Sequence, residues 1–194
     1  VVANRKPFWK QVWTKDTLKY NTVDGINYVA QAYDENSLVM GPRRNIRSAR
    51  AEGIKIAREK KASHIFFLDD DILTPPDILF RLLEVNQDIV GGLMHKDDGM
   101  PIVFRIEAFG TNNDHYTDHP KDVPFRCGGV GAGCMLIRMS VFDKMDRSWP
   151  GSLWYFNYDE TGMSMDYRFC QRAMFAGCEV WCLPDPPCQQ LSHY

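Results

Sequence analysis

Residues 64–68, His-Ile-Phe-Phe-Leu, form a short, almost wholly apolar run that stops abruptly at Asp69, Asp70 and Asp71. Such a run reads as a strand buried on both faces. Before it, residues 45–61 place Ile46, Ala49, Gly53, Ile56 and Ala57 close to helical spacing. After the acids, Thr74-Pro75-Pro76-Asp77 reads as a helix start. Thr74 can cap it, Pro75 suits its first turn, and Asp77 meets its positive end. The helix continues from Ile78 to Val85, and a further strand begins at Asp88 and runs to Leu93. Strand, helix, strand in that order predicts an α/β protein: a mostly parallel central sheet sandwiched between helices.

The rest of the chain is less sharply patterned. Further strands are expected at residues 1–3, 27–32, 134–137 and 179–182. Another helix is expected over residues 166–176, stopped by Gly177. Residues 105–126 show no usable periodicity and are rich in Asn, Asp, His and Pro, which suggests a mobile or substrate-facing loop.

Composition narrows the class of molecule. With 194 residues, 44% hydrophobic and 25% charged, the chain reads as one globular domain, 1–194. Its 23 basic and 25 acidic residues give a net charge of -2, which argues against a general nucleic-acid binder. No apolar run approaches the ~18–20 residues of a membrane span. The chain opens on Val1 rather than Met, which leaves room for a trimmed end and a lost targeting segment. Six cysteines form no Cys-x-x-Cys pair, so reduced core thiols and a cytoplasmic setting are expected.

The acidic triplet carries the chemistry. Three adjacent carboxylates at the end of an apolar strand repel one another and cost desolvation, which a cation would offset. Ligands of open α/β sheets also bind at the carboxyl ends of strands. Strand alternation would put Asp69 and Asp71 on one face and turn Asp70 away. Two hard oxygen ligands on one face suit Mg²⁺ or Mn²⁺ gripping a substrate phosphate. Arg43, Arg44, Arg47 and Arg50 surround a helix start, and guanidinium groups there are suited to bidentate phosphate contacts.

In this context residues 64–79 resemble the strand, DxD motif and following helix of nucleotide-sugar glycosyltransferases of the GT-A fold. Residues 88–92 resemble that family's next strand. Gly131, Ala132 and Gly133, with the strand after them, resemble its glycine-rich sugar-pocket turn. Residues 165–173 resemble the acidic start of a late helix, and residues 191–194 a segment that supplies a metal-binding histidine. The resemblance implies a GT-A three-layer α/β/α sandwich, with a nucleotide-binding half over residues 1–95 and an acceptor and sugar half over residues 96–194.

The same resemblance implies roles. Asp71 would be the direct ligand of Mn²⁺ or Mg²⁺, with Asp69 supporting the metal or bonding the ribose, and His193 would complete the site. Asp34, Arg43, Arg47, Arg50, Asp69, Asp70, Gly131 and Gly133 would contact a UDP- or GDP-linked sugar donor. Asp166 would be the catalytic base toward a carbohydrate or other hydroxyl acceptor. Met165 stands where many relatives carry Glu, which weakens any expectation of inversion. Trp154 and Tyr155 offer aromatic faces for an acceptor, although core packing accounts equally well for such residues.

Two other readings fit parts of the pattern. A magnesium-dependent phosphatase of the haloacid dehalogenase type also carries an apolar strand, D-x-D and a Thr. Its motif continues Gly-Thr and lies near the chain start, whereas Ile72-Leu73 follows here. A noncatalytic nucleotide-sugar-binding domain would keep the fold but lose Asp71 or Asp166, and both are present.

Overall fold

The computed structural model describes residues 46–69, 72–106, 114–149, 155–156 and 164–190. Helix α1 (Ile46–Glu59) leads into β1 (His64–Leu68), over the residues the apolar run predicts. A short strand β2 (Ile72–Leu73) and helix α2 (Ile78–Val85) precede β3 (Ile89–Met94). The second half holds β4 (Val103–Phe104), β5 (Phe125–Arg126), β6 (Gly129–Val130) and β7 (Cys134–Arg138). Helices α3 (Met139–Ser148) and α4 (Met165–Phe175) and the long strand β8 (Val180–Gln190) follow. The expected strands at residues 1–3 and 27–32 lie outside the described residues.

The fold is α/β, but its sheet is mixed rather than mostly parallel. The strand order is β1-β7-β3-β8-β2, with β5 also paired to β8, and β4 and β6 forming a separate two-stranded ladder. Among the described residues only β3 and β8 pair in parallel. The ladders β1–β7, β3–β7, β2–β8 and β5–β8 are antiparallel. Because β7 opposes both neighbours, β1 and β3 still run the same way, as a strand–helix–strand unit requires. The sequence pattern reveals that shared direction. It cannot reveal that a strand from much later in the chain inserts between the two.

Burial follows this placement. Among the described residues β1 pairs with β7 alone, and of its five residues only Ile65 is buried. All six residues of β3 are buried. Its side chains alternate faces, as a pleat demands. Ile89 and Leu93 join the cluster that includes Ile54 of α1, Phe142 of α3 and Phe169 of α4. Val90 and Met94 join the cluster containing Ile78, Leu79 and Leu82 of α2. Each fully buried side chain of this kind contributes about 1.5–3 kcal/mol.

Two local expectations change. Helix α2 is capped at Asp77 without a side-chain cap bond, and the Thr74 hydroxyl is buried without a hydrogen-bond partner. A proline disfavours helical geometry at the residue before it, here Thr74 and Pro75, and the chain passes through a turn at Pro76 and Asp77 before the helix begins at Ile78. Within residues 105–126, where a mobile or substrate-facing loop is expected, residues 114–126 are tied down rather than mobile. His115 bridges to Phe104, β5 pairs with β8, and the buried His119 ring stacks on Phe125 at 5.1 Å. Isolated aromatic contacts of this kind have no sequence period.

Helix α4 ends as predicted: Gly177 adopts φ +78, a left-handed value that glycine accepts without strain. All six cysteines are buried and unbridged, in agreement with reduced core thiols. Burial pushes the Cys170 thiol up to about 12. No helix among the described residues is long and apolar enough to cross a membrane.

Gly128 is packed more tightly than its neighbours: a Cβ there would stand 2.1 Å from the Arg105 carbonyl oxygen. A main-chain obstacle cannot swing aside as a side chain can. Gly128→Ala is therefore expected to destabilise the protein by at least about 1–3 kcal/mol, the usual cost of overpacking. Denaturant unfolding of the two proteins measures this, and an unchanged midpoint would contradict the packing.

Candidate active site

Three parts of the chain meet beyond the carboxyl end of β1. Helix α1 supplies Arg50, the residue after β1 is Asp69, and the first turn of α4 supplies Asp166. Each is placed by ordinary backbone bonding. The Asp69 N–H donates to the Gly133 carbonyl at 2.9 Å, continuing the β1–β7 ladder by one step. Ser164 caps α4 by accepting from the Tyr167 N–H at 3.3 Å, which sets the orientation of the first turn.

Arg50 is only 4% exposed. A buried guanidinium must be paired, because leaving its charge without a partner in a low dielectric costs several kcal/mol. Its Nη1 donates to Asp166 Oδ1, and its Nη2 lies 3.5 Å from Asp69 Oδ2. The guanidinium carbon sits 4.9 Å from the Phe156 ring centroid and 5.8 Å from that of Phe67, within cation–π range of both. Phe156 is itself stacked on Phe169 at 4.3 Å. The second oxygen of Asp166 accepts the Ala132 N–H at 2.9 Å. Asp166 thus bridges the buried arginine and the main chain of the glycine-rich turn.

The glycines flanking Ala132 are closely packed on Met94 and Ile72. A Cβ on Gly131 would stand 2.4 Å from Met94 Cε. One on Gly133 would meet Ile72 Cγ1 and Met94 Sδ at 3.0 Å and Asp69 Oδ2 at 3.3 Å. Two carboxylates against one guanidinium leave one negative charge in excess among these three side chains. Asp69 (37% exposed side chain) and Asp166 (25%) both reach solvent.

The sequence-predicted residues divide accordingly. Arg50, Asp69, Asp166, Gly131 and Gly133 come together. Arg50, expected to bind donor phosphate, is instead engaged by two carboxylates and two rings. The expected alternation of Asp69, Asp70 and Asp71 passes after Asp69 onto residues outside the described ones. Asp34, Arg43, Asp70, Asp71, Trp154 and His193, together with the Arg47 side chain, lie outside the described residues. Among the described residues no group of three His, Cys, Asp or Glu is gathered for a metal.

Tyr155, expected on an acceptor platform, packs edge-on against Phe142 at 4.9 Å, and its hydroxyl donates to Asp146 Oδ1 at 2.6 Å. Burial and that bond push its phenol up to about 12. It also borders a cavity of about 350 Å³ between α3 and α4, lined in addition by Trp149, Arg168 and Arg172. None of Arg50, Asp69 or Asp166 lines that cavity. Sequence reading did not single out the Ala132 N–H, Phe67 as a ring beneath Arg50, or Met94. The position of Ala132 between two glycines was the one available signal.

No protein-family model matches the chain, and no curated protein matches it. A solved structure, "Crystal Structure of A197 from STIV", is similar to it with 15% identity and a TM-score of 0.48, covering 78% of each chain. The chemistry of the site therefore rests on the residues described above.

Proposed function

We propose that this chain is a metal-dependent glycosyltransferase of GT-A type, moving a sugar from a UDP- or GDP-sugar to a hydroxyl acceptor. The observation that carries this reading is the meeting of Asp69 and Asp166 on Arg50, across 116 positions of sequence in the latter pair, beside the Gly131–Gly133 turn. The family resemblance implies a donor-side acid, an acceptor-side acid and a sugar-pocket turn at one place; the nearness of Asp69, Asp166 and the Gly131–Gly133 turn supports that reading. A three-layer GT-A sandwich is compatible with apolar clusters to which α1, α3 and α4 contribute on one face of the sheet and α2 on the other.

The donor chemistry of the site suits a hard divalent cation. The carboxylate oxygens of Asp69 and Asp166 are hard donors of the kind that Mn²⁺ or Mg²⁺ takes. On this reading Asp69 and Asp71 would hold the ion and His193 would complete its shell. When bound, such a cation supplies charge neutralisation for the departing nucleoside diphosphate. The chain's own residues do the rest. Asp166 presents a carboxylate whose oxygens each keep a second lone pair, positioned to take the acceptor hydroxyl's proton. Its bonds to Arg50 and Ala132 fix that carboxylate before the acceptor arrives.

UDP- and GDP-sugar binding is expected to require Mn²⁺ or Mg²⁺. Calorimetry on a donor panel with added Mn²⁺, repeated after EDTA, measures this. Binding of equal strength without metal would remove the cation from the reading.

A further inference from the structure

The thiols of Cys134 and Cys188 meet across β3. Cys134 opens β7, Cys188 lies near the end of β8, and both are buried in the apolar cluster on the α2 side of the sheet. The strand between them carries no side chain at Gly92. A Cβ there would stand 2.8 Å from Cys188 Sγ and 3.1 Å from Cys134 Sγ, so one gap in the middle strand admits both sulfurs. In a regular sheet, strands two places apart lie about 9.5 Å from each other, too far for a disulfide. β8 breaks that regularity at this point. Gly92 pairs with Leu183 and Met94 with Cys188, so residues 184–187 of β8 stand opposite Leu93 alone. A bulge of this kind bends the strand and re-aims the side chains beside it. The Cys134 thiol donates a hydrogen bond to Cys188 and holds the Cys188 thiol below its usual range. Burial lifts Cys127, Cys170, Cys178 and Cys182 above that range. The thiolate is the nucleophilic form, which singles out Cys188.

We propose that Cys134 and Cys188 are a redox-active dithiol, which a hydroperoxide closes into a disulfide that fastens β7 to β8 across Gly92. The Cys188 sulfur attacks one oxygen of hydrogen peroxide and the O–O bond breaks. The departing hydroxide leaves as water with the Cys188 proton, and Cys188 becomes a sulfenic acid. The Cys134 sulfur then attacks Cys188, the S–S bond forms and the S–O bond breaks. The second hydroxide leaves as water with the Cys134 proton. Two thiols are oxidised and one peroxide is reduced to two waters. Thiols and disulfide are all neutral, so closure leaves no charge in the apolar cluster. Pro187 and Gln189, on either side of Cys188, are exposed, and peroxide is little larger than water. The bond joins the two strands that hold the chain before and after the acidic run. Cys134 follows Gly133, whose carbonyl accepts the Asp69 N–H, and Cys188 precedes Gln189 and Gln190, which pair with Leu73 and Ile72. This chemistry is independent of the metal-dependent reading.

The test exposes the full chain, reduced and freed of reductant, to a modest molar excess of hydrogen peroxide. Free thiols are then blocked by alkylation and the digest is read by mass spectrometry. The folded protein is expected to lose two of its six thiols and to yield one peptide linked through Cys134 and Cys188, which dithiothreitol separates. The oxidised protein should unfold at a higher temperature than the reduced one, because the cross-link restricts the unfolded chain. Cys134→Ser should stop at the sulfenic acid, which dimedone captures on Cys188. Cys188→Ser should keep its remaining thiols under the same exposure, and Cys178→Ser should form the link as the parent does. Circular dichroism checks that each variant is folded. If the variants at Cys134 and Cys188 do not fold, the linked peptide from the parent decides the matter by itself. A folded parent that retains all six thiols, links a different pair, or links Cys134 and Cys188 only between two chains overturns the proposal. An oxidised protein no more stable than the reduced one overturns the fastening of β7 to β8.

Discussion

Asp166→Ala is expected to lower folding stability by about 3–5 kcal/mol, the cost of stranding a buried charge by removing its partner. Arg50 would lose its main counter-charge while remaining enclosed by Phe156 and Phe67, and the Ala132 N–H would lose its acceptor. Asp69, at 3.5 Å, is too distant to replace Asp166 without moving. For a domain of this length such a loss lowers Tm by roughly 10 °C. Urea unfolding of wild type, D166A, D166N and the R50M/D166A double variant would measure it. D166N keeps an acceptor for Ala132 and should lose less. The double variant removes both ends of the pair and should be more stable than D166A alone. A D166A protein within 1 kcal/mol of wild type (about a fivefold change in the unfolding constant) would show that the buried arginine does not depend on Asp166. Donor binding and transfer by D166A are best measured at low temperature, where the folded state persists. Under those conditions loss of transfer with retained donor binding would support the base role.

Asp71→Ala is expected to cut turnover by about 10²–10³-fold, the usual effect of removing one preorganised group that stabilises developing charge. Little stability should be lost, because thinning a run of three acids relieves repulsion. This combination separates Asp71 from Asp166: one variant stays folded and inactive, the other is damaged in both respects. Steady-state transfer with saturating Mn²⁺, beside thermal unfolding, provides both numbers. Turnover within twofold of wild type would remove Asp71 from the metal site.

Much of the local structure was legible from residue pattern. The run at residues 64–68 is a strand with those bounds, Gly177 ends α4, and the six cysteines are buried thiols. Periodicity, abrupt changes in polarity and the backbone freedom of glycine are properties of neighbouring residues, so they survive in a linear reading. The direction of β1 and β3 followed from the helix between them. Asp69 stood out as an acid at the end of an apolar strand, whereas Asp166 and the Gly131–Gly133 turn were singled out through the family resemblance.

Partnership was not legible. Arg50 looked like one of several phosphate-binding arginines, since its helix spacing says which face it shares but not what that face meets. Its burial between two rings and two carboxylates depends on α4 docking beside α1. Likewise Tyr155 carries no mark in sequence that its hydroxyl meets Asp146 rather than an acceptor, and β7 carries none that it separates β1 from β3. Local chemistry decided which residues are strand, helix, thiol and acid, because those preferences act over a few positions. Assembly of the sheet decided which acid faces which base, because burial and charge pairing depend on distance in space and not on separation along the chain.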